Sequence, residues 1–351
     1  MQQKKAHIVA TAWLTALLAA CDLVSRAGEH PLTSYLARLQ RTLDVTFVSQ
    51  ENAVPALPRS RVLTLELDTG SIDLLDMLAL RDCALETTVG KSNSSLGKLA
   101  TASQRLLLEL EFLAQLPGCI ASLNPSDDQA LIADLREAQH RKLEQLPARI
   151  WNATLAAPEF RAFWQSDGKL GAYPDNTSSQ VPTALARLAQ LTNAWLSGDY
   201  MSGHTELEGL LDQVRRGDGG KLLYAIDRQN QGLESSQAGL RHRLSEAPLC
   251  FGNTPSTAGQ ILETVVRKFF IGQVQPWSVR LQRRRQDLMP PVLALEQQLE
   301  IAMPPEYAHW RQQRHALLAS AVDAPKTHAL LLAELLESCG LRPGINPANS
   351  S

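Results

Sequence analysis

The densest run of chemically versatile side chains is Asn93-Ser94-Ser95-Leu96-Gly97-Lys98, followed by Ser103-Gln104-Arg105. Amides, hydroxyls and cations packed this closely can recognise a polar ligand, and loops held by a rigid frame often present such groups. Ser95 and Lys98 also stand at S-x-x-K spacing, in which the Lys helps deprotonate a nucleophilic Ser for acyl transfer. Asn93, Ser94, Ser95, Lys98, Gln104 and Arg105 are therefore the expected binding loop, with Ser95 and Lys98 the reactive pair if covalent chemistry occurs there. The same residues also read as a turn: Asn and Ser bond nearby backbone, Gly97 allows positive φ, and Arg105 pairs with Glu109 at i, i+4.

Other motifs weaken the catalytic reading. Ser166-Asp167-Gly168 and Lys326-Thr327-His328 fall in the order in which S-D-N and K-T-G accompany S-x-x-K in penicillin-recognising serine enzymes, but each departs at its last position. In those enzymes K-T-G lies on a strand, whereas Lys326 opens a Leu-rich helical run from Leu330 to Leu336. There is no G-x-S-x-G elbow and no H-E-x-x-H helix. Gly217-Asp218-Gly219-Gly220-Lys221 has Leu222 where a P-loop needs Ser or Thr, and reads as a helix boundary. The eight His residues are dispersed, and no Cys or His pair has ligand spacing, so neither a metal nor a cofactor is expected. Arg280, Arg283 and Arg284 fall on one face of a helix. They offer either a basic docking face for lipid headgroups, cell-wall carboxylates or an acidic partner, or a solvated surface balanced by acids elsewhere.

Cysteine supplies the remaining chemistry. Lys4 and Lys5 precede an apolar run from Ile8 to Ala20, and Leu18-Ala19-Ala20-Cys21 closes it. That run is too short for a permanent membrane span, which needs about 20 residues, and reads as a signal peptide over residues 1–20. The small residues before Cys21 resemble a bacterial lipobox, in which the Cys thiol receives a diacylglycerol and the amine freed by cleavage is acylated. Several acyl chains anchor durably where one is marginal. Four cysteines then remain: Cys83, Cys119, Cys250 and Cys339. In an exported chain they suggest up to two disulfides. Three connectivities are possible, and sequential pairing is preferred because each bridge would staple neighbouring helices.

The elements that must position these groups are helices. Aromatics make up only 5% of the chain beside 59 leucines, a balance that favours helix packing. The net charge of -2 leaves no general attraction to polyanions, so no nucleic-acid partner is expected. Residues 21–60 hold the lipidated Cys, a first helix over 31–45 and a Pro-containing connector; Val62 to Leu67 reads as a short strand or an extended segment on helices. Residues 61–345 form an all-α domain, with the polar stretch 173–179 the expected divide between two subregions. Capping signals at Thr101-Gln104, Ser126-Gln129 and Thr257-Gln260 precede apolar stripes of period near 3.6. Pro117-Gly118, Pro147, Gly198, Gly217, Pro248, Pro290-Pro291, Pro304-Pro305 and Gly340 mark expected helix ends. The expected fold is an irregular multi-helix bundle of about ten helices, with no repeat of fixed period.

The lipobox, Leu74-Leu75-Asp76, Cys83, the run 93–98, Ser103-Gln104-Arg105-Leu106-Leu107 and Cys119 together resemble the bacterial lipoprotein family catalogued as domain of unknown function 3080. That resemblance implies a Gram-negative envelope lipoprotein facing the periplasm and brings no activity; Asp22 leaves inner and outer membrane both open. The expected function is that of a lipid-anchored binding or adapter module for other envelope components, a protein or cell-wall partner among them. The alternative is a periplasmic enzyme or ligand-binding protein centred on Asn93 to Lys98.

Overall fold

The computed structural model describes residues 30–48, 54–67, 80, 83–250 and 254–342. Cys21, the signal peptide and Leu74-Leu75-Asp76 lie outside them. In chain order the helices are α1 (Pro31–Leu43), α2 (Ser60–Leu63), α3 (Leu85–Asn93), α4 (Ser95–Leu99), α5 (Ala102–Ser122), α6 (Gln129–Ala153), α7 (Pro158–Phe163), α8 (Gln180–Leu196), α9 (Leu207–Arg215) and α10 (Gly219–Ser245). They continue with α11 (Thr257–Val265), a π-helical stretch (Val266–Val274), α12 (Gln275–Gln298), a 3₁₀ turn (Glu300–Ala302), α13 (Pro305–Ser320) and α14 (Asp323–Glu337). No strand occurs among the described residues. The protein is an all-α bundle, as the apolar periodicity predicts.

Amphipathic stripes account for the packing. Leu32, Tyr35, Leu39 and Leu43 form the buried face of α1, and Leu185, Leu188, Thr192 and Trp195 that of α8. The long helix α10 is buried along most of its length and packs against α1, α12, α13 and α14. The apolar core is divided: the larger cluster runs from Leu32 to Leu336 and includes Tyr173. A smaller cluster of Leu80, Leu85, Val89, Phe112, Leu116, Cys119, Leu135 and Ala138 belongs to α3, α5 and the first half of α6. Both expected disulfides are present with the sequential pairing, Cys83–Cys119 in the smaller core and Cys250–Cys339 joining the segment after α10 to the end of α14. Gly259 makes room for the second bridge, since a Cβ there would sit 2.9 Å from Cys250 Sγ and 3.1 Å from Cys339 Sγ.

Several boundaries differ from the sequence reading. Pro117, Pro147 and Pro290-Pro291 lie inside α5, α6 and α12 instead of ending them. A Pro inside a helix costs about 3 kcal/mol, but α6 and α12 bury large side chains on both sides of their prolines, worth roughly 1.5–3 kcal/mol apiece, and in α5 Leu116 is buried before Pro117 and the disulfide-bonded Cys119 after it. In α12 these are Leu288 and Met289 before the prolines and Val292 and Leu295 after them. Thr101 and Gln104 make the full capping box. At α11 the cap is Ser256, whose Oγ accepts from Gly259 N, one residue before the expected position. Ser126 caps nothing; the Asp128 carboxylate accepts from Asn124 N and α6 begins at Gln129. Val62 and Leu63 are in α2, and only the residues after them are extended. The π-helical stretch rephases one continuous helix, placing Phe270 against Tyr35 (5.3 Å between centroids) and Phe269 beneath the Arg38 guanidinium.

A buried relay ties α1, α10 and α14 together. Tyr35 Oη donates to His328 Nε2 (2.6 Å), and Ser236 Oγ lies 3.1 Å from His328 Nδ1 while donating to Leu233 O. A neutral imidazole protonated on Nδ1 satisfies all three groups. Burial lowers the His328 pKa from 6.5 to about 3, so the folded protein keeps it neutral while the unfolded chain takes up a proton. The resulting stability is complete above pH 6.5 and declines as pH falls toward 3, by about 1.4 kcal/mol per unit below the unfolded value. Urea unfolding followed from pH 7 to pH 4.5 should therefore show a steeper loss of stability for the native protein than for His328→Gln. Parallel curves would remove His328 from the acid response.

Candidate functional site

The predicted loop 93–98 is two helix ends. Asn93 closes α3, and Ser94 caps α4, its Oγ accepting from Gly97 N (3.0 Å) and donating to Lys91 O (2.7 Å). Gly97 is required at this reversal, because a Cβ would run into the carbonyl oxygens of Lys91 and Ser92. Gln104 is used in the capping box of α5. Arg105 does not pair with Glu109 but donates to Lys98 O (2.7 Å), fixing α4 against the start of α5.

Of these residues, Asn93, Gly97, Lys98 and Arg105 line a cleft of about 880 Å³ where the two cores meet, whereas Ser94, Ser95 and Gln104 do not. One wall, from the smaller core, is Val89 and Phe112; the other includes Leu65, Leu106 and Ala156. Among the described residues, four cations, Lys98, Arg105, Lys142 and Arg149, and one carboxylate, Glu109, line the cleft. Glu109 is bonded to Lys142 and lies 3.5 Å from Arg149 Nη1, and Lys142 Nζ also sits over the Phe112 ring at 4.7 Å. Arg149 gives Nη2 to Gln145 Oε1 (3.2 Å), while its buried Nε has no partner. The cleft thus joins excess positive charge and an unsatisfied buried donor to apolar walls. It can hold an anionic group with hydrocarbon attached.

The far wall is an extended strap over residues 64–67. Asn152 grips it with both ends of its amide: Oδ1 accepts from Leu65 N and Nδ2 donates to Leu65 O, each at 2.9 Å. Trp151 Nε1 donates to Leu63 O (2.8 Å), and Arg161 bonds Pro58 O and Ser60 Oγ. Lys142, Arg149 and the strap were not visible as site residues in the sequence. Lys142 and Arg149 are seven apart, two turns of one helix face, but nothing local says that this face meets α5.

The covalent constellation is not assembled. Ser95 and Lys98 are exposed on α4 and share no hydrogen bond. Ser166 is used in a turn to Gly168 N, and Lys326 to His328 lie within α14, with His328 committed to the buried relay. Gly217 precedes α10 as a helix boundary. The expected basic face is also broken. Arg284 is buried and chelates Asp218, with Nε to Oδ2 at 2.9 Å, and Tyr173 Oη donates to the same Oδ2 at 2.8 Å. Arg280 Nε lies 2.6 Å from Asp175 Oδ1, leaving Arg283 exposed. Helical periodicity placed these arginines together correctly but could not show that the face turns toward the 173–175 segment.

The family model described as "Protein of unknown function (DUF3080)" matches residues 32–343. No curated protein and no solved structure matches the chain.

Replacing Asn152 by Ala removes both bonds to the strap and leaves Leu65 N–H without its partner. A loss of about 1–3 kcal/mol in urea unfolding is expected, together with faster proteolysis between residues 60 and 67 under native conditions. Unchanged cleavage would mean that the strap is held by Trp151 and Arg161 alone.

Proposed function

The chain belongs to the DUF3080 family, and we propose that it is a lipid-anchored envelope protein that works by binding, with the basic cleft as its seat for an anionic, partly apolar ligand. The observation that carries this reading is the composition of the cleft: four cations to one carboxylate along walls of Val89, Leu65, Leu106 and Phe112. Its volume of about 880 Å³ falls in the range of about 300–1,000 Å³ usual for small-molecule sites. Partly desolvated cations focus their field on a bound anion. Arg149 is largely buried at this wall, its Nη1 3.5 Å from Glu109, and a charge-assisted bond from its guanidinium to a bound anion is worth about 1.5–3 kcal/mol.

The sequence alone favoured an adapter acting through a helix face. The cleft moves the reading to ligand binding at Asn93, Gly97, Lys98 and Arg105, with Lys142 and Arg149 added. The anchor rests on Cys21 and the small residues before it, and the periplasmic face of the envelope follows from that anchor. Binding, not covalent turnover, is the chemistry that fits Ser95 and Lys98 as they stand.

The mature chain with Cys21→Ser, titrated calorimetrically with dodecyl phosphate, should show saturable binding that dodecyl maltoside does not reproduce. Arg149→Gln should weaken it by roughly tenfold or more. Equal heats from both amphiphiles would remove the anionic site and return the adapter to first place. Intact-mass analysis of the membrane fraction should find the native chain beginning at acylated Cys21; a retained Met1 would remove the anchor.

A further inference from the structure

The short helix α4 sits at the cleft and spends its apolar side chains on solvent. Leu96 is 82% exposed and Leu99 84% exposed, and no residue of α4 is buried. Three apart on a helix, the two leucines lie on neighbouring positions of one face. Lys98 stands between them in sequence, close enough for its ammonium to reach past the same edge. The edge is nevertheless built firmly: Ser94 caps it, Gly97 allows close approach to the end of α3, and Arg105 holds Lys98 O. A rigid element that displays two leucines and a lysine, with a cationic cleft directly behind it, has the chemistry of an interfacial contact.

We infer that α4 is a membrane-contacting edge, by which the cleft opens onto an anionic lipid surface: Leu96 and Leu99 enter the headgroup–acyl boundary while Lys98 and Arg105 meet lipid phosphates. Charge complementarity selects the occupant. The two carboxylates of α5, Glu109 and Glu111, are each bonded to a lysine of the protein, Lys142 and Lys91, Glu208 accepts from Ser103 Oγ at the start of α5, and α4 itself carries no acid. An acidic protein would satisfy the cations but not two fully exposed leucines on so short a helix; a bilayer satisfies both. The proposed anchor agrees, because Cys21 precedes His30 by nine residues, a reach of at most about 30 Å. The body then stays close to a bilayer in which α4 can dip. Where the cleft reading also holds, its ligand becomes an acidic phospholipid taken from that surface, a step that rests on the proposed function; the membrane contact itself does not.

The test uses the full mature chain with Cys21→Ser, so that no acyl anchor contributes, and vesicles of phosphatidylcholine with and without phosphatidylglycerol. Co-sedimentation with the anionic vesicles is expected, with little on phosphatidylcholine alone. Leu96→Ser with Leu99→Ser should reduce the partition coefficient by roughly tenfold or more while leaving dodecyl phosphate affinity unchanged, since both side chains are already in solvent. Equal partition of the native and doubly substituted chains, or none for either, overturns the edge. Dihexanoyl phosphatidylglycerol, below its micelle concentration, should displace dodecyl phosphate. If vesicles bind through the leucines but neither short amphiphile is taken up, the edge stands and the cleft reading falls.

Discussion

A buried ion pair sets the terms for the larger core. Arg314 of α13 and Glu296 of α12 are both almost fully excluded from water and meet through two hydrogen bonds, at 2.7 and 2.8 Å. Tyr307 adds a third to the same carboxylate at 2.6 Å. Burial alone would push the Arg314 pKa down, but Glu296 reverses this and raises it, so the guanidinium stays charged. The indoles of Trp164 and Trp310 lie against the guanidinium, at 5.1 and 4.9 Å. Such a pair need not exceed a hydrophobic substitute in stability, yet losing one partner costs about 3–5 kcal/mol because the other is left charged and unpaired. The aromatic cluster must therefore keep one geometry.

That geometry reaches the cleft through two indole N–H groups. Trp310 donates to Pro55 O (3.1 Å), and Trp151, packed edge-on against Tyr307 at 4.9 Å, donates to Leu63 O. The segment leading into the strap is thus fastened to the ion-pair cluster, and Asn152, the residue after Trp151, holds the strap itself. The opposite wall has a different origin. The smaller core is too limited to be secure by packing alone, and Cys83–Cys119, spanning 36 residues, supplies a restraint of about 2–4 kcal/mol. The cleft exists because two separately stabilised bodies share α5 and α6 without closing on each other at their junction.

Much of this was legible in the sequence because it depends on local spacing. Stripes such as Leu207, Leu210, Leu211 and Val214 identify a buried helix face wherever the helix packs. Cys83–Cys119 follows from helices near in sequence being near in space, whereas Cys250–Cys339 closes 89 residues and pairs because those are the two cysteines that remain. The patch at 93–98 stands out by composition, and Asn93, Gly97 and Lys98 of it line the cleft, although its turn is two helix ends and Gln104 is a cap. What was illegible depends on tertiary contact. Pro147, Pro290 and Pro291 stay helical because flanking side chains are buried on both sides, and Pro117 because Leu116 is buried before it and Cys119 is held by its disulfide after it. The π-helical stretch is stabilised by α1 and α14, not by its own residues. Arg284 looks like its neighbour Arg283 on a helical wheel, yet one is buried on Asp218 and the other is solvated.

The charge pattern teaches the same distinction at the level of function. A net charge of -2 properly removes long-range attraction to polyanions, because that force sums over the whole surface. It says little about a cleft a few ångströms wide, where apolar walls and partial burial weaken screening and only the nearest groups matter. Here the acids that neutralise the chain are mostly spent elsewhere: Asp218 on Arg284, Glu296 on Arg314, Asp212 on Arg215 and Arg216, Glu206 on Arg187. Among the described residues that line the cleft, Glu109 is the one acid beside Lys98, Arg105, Lys142 and Arg149. Local excess within a near-neutral chain favours a ligand small enough to enter the cleft over a polymer that must lie along the surface, and the hydrocarbon walls favour one with an apolar tail.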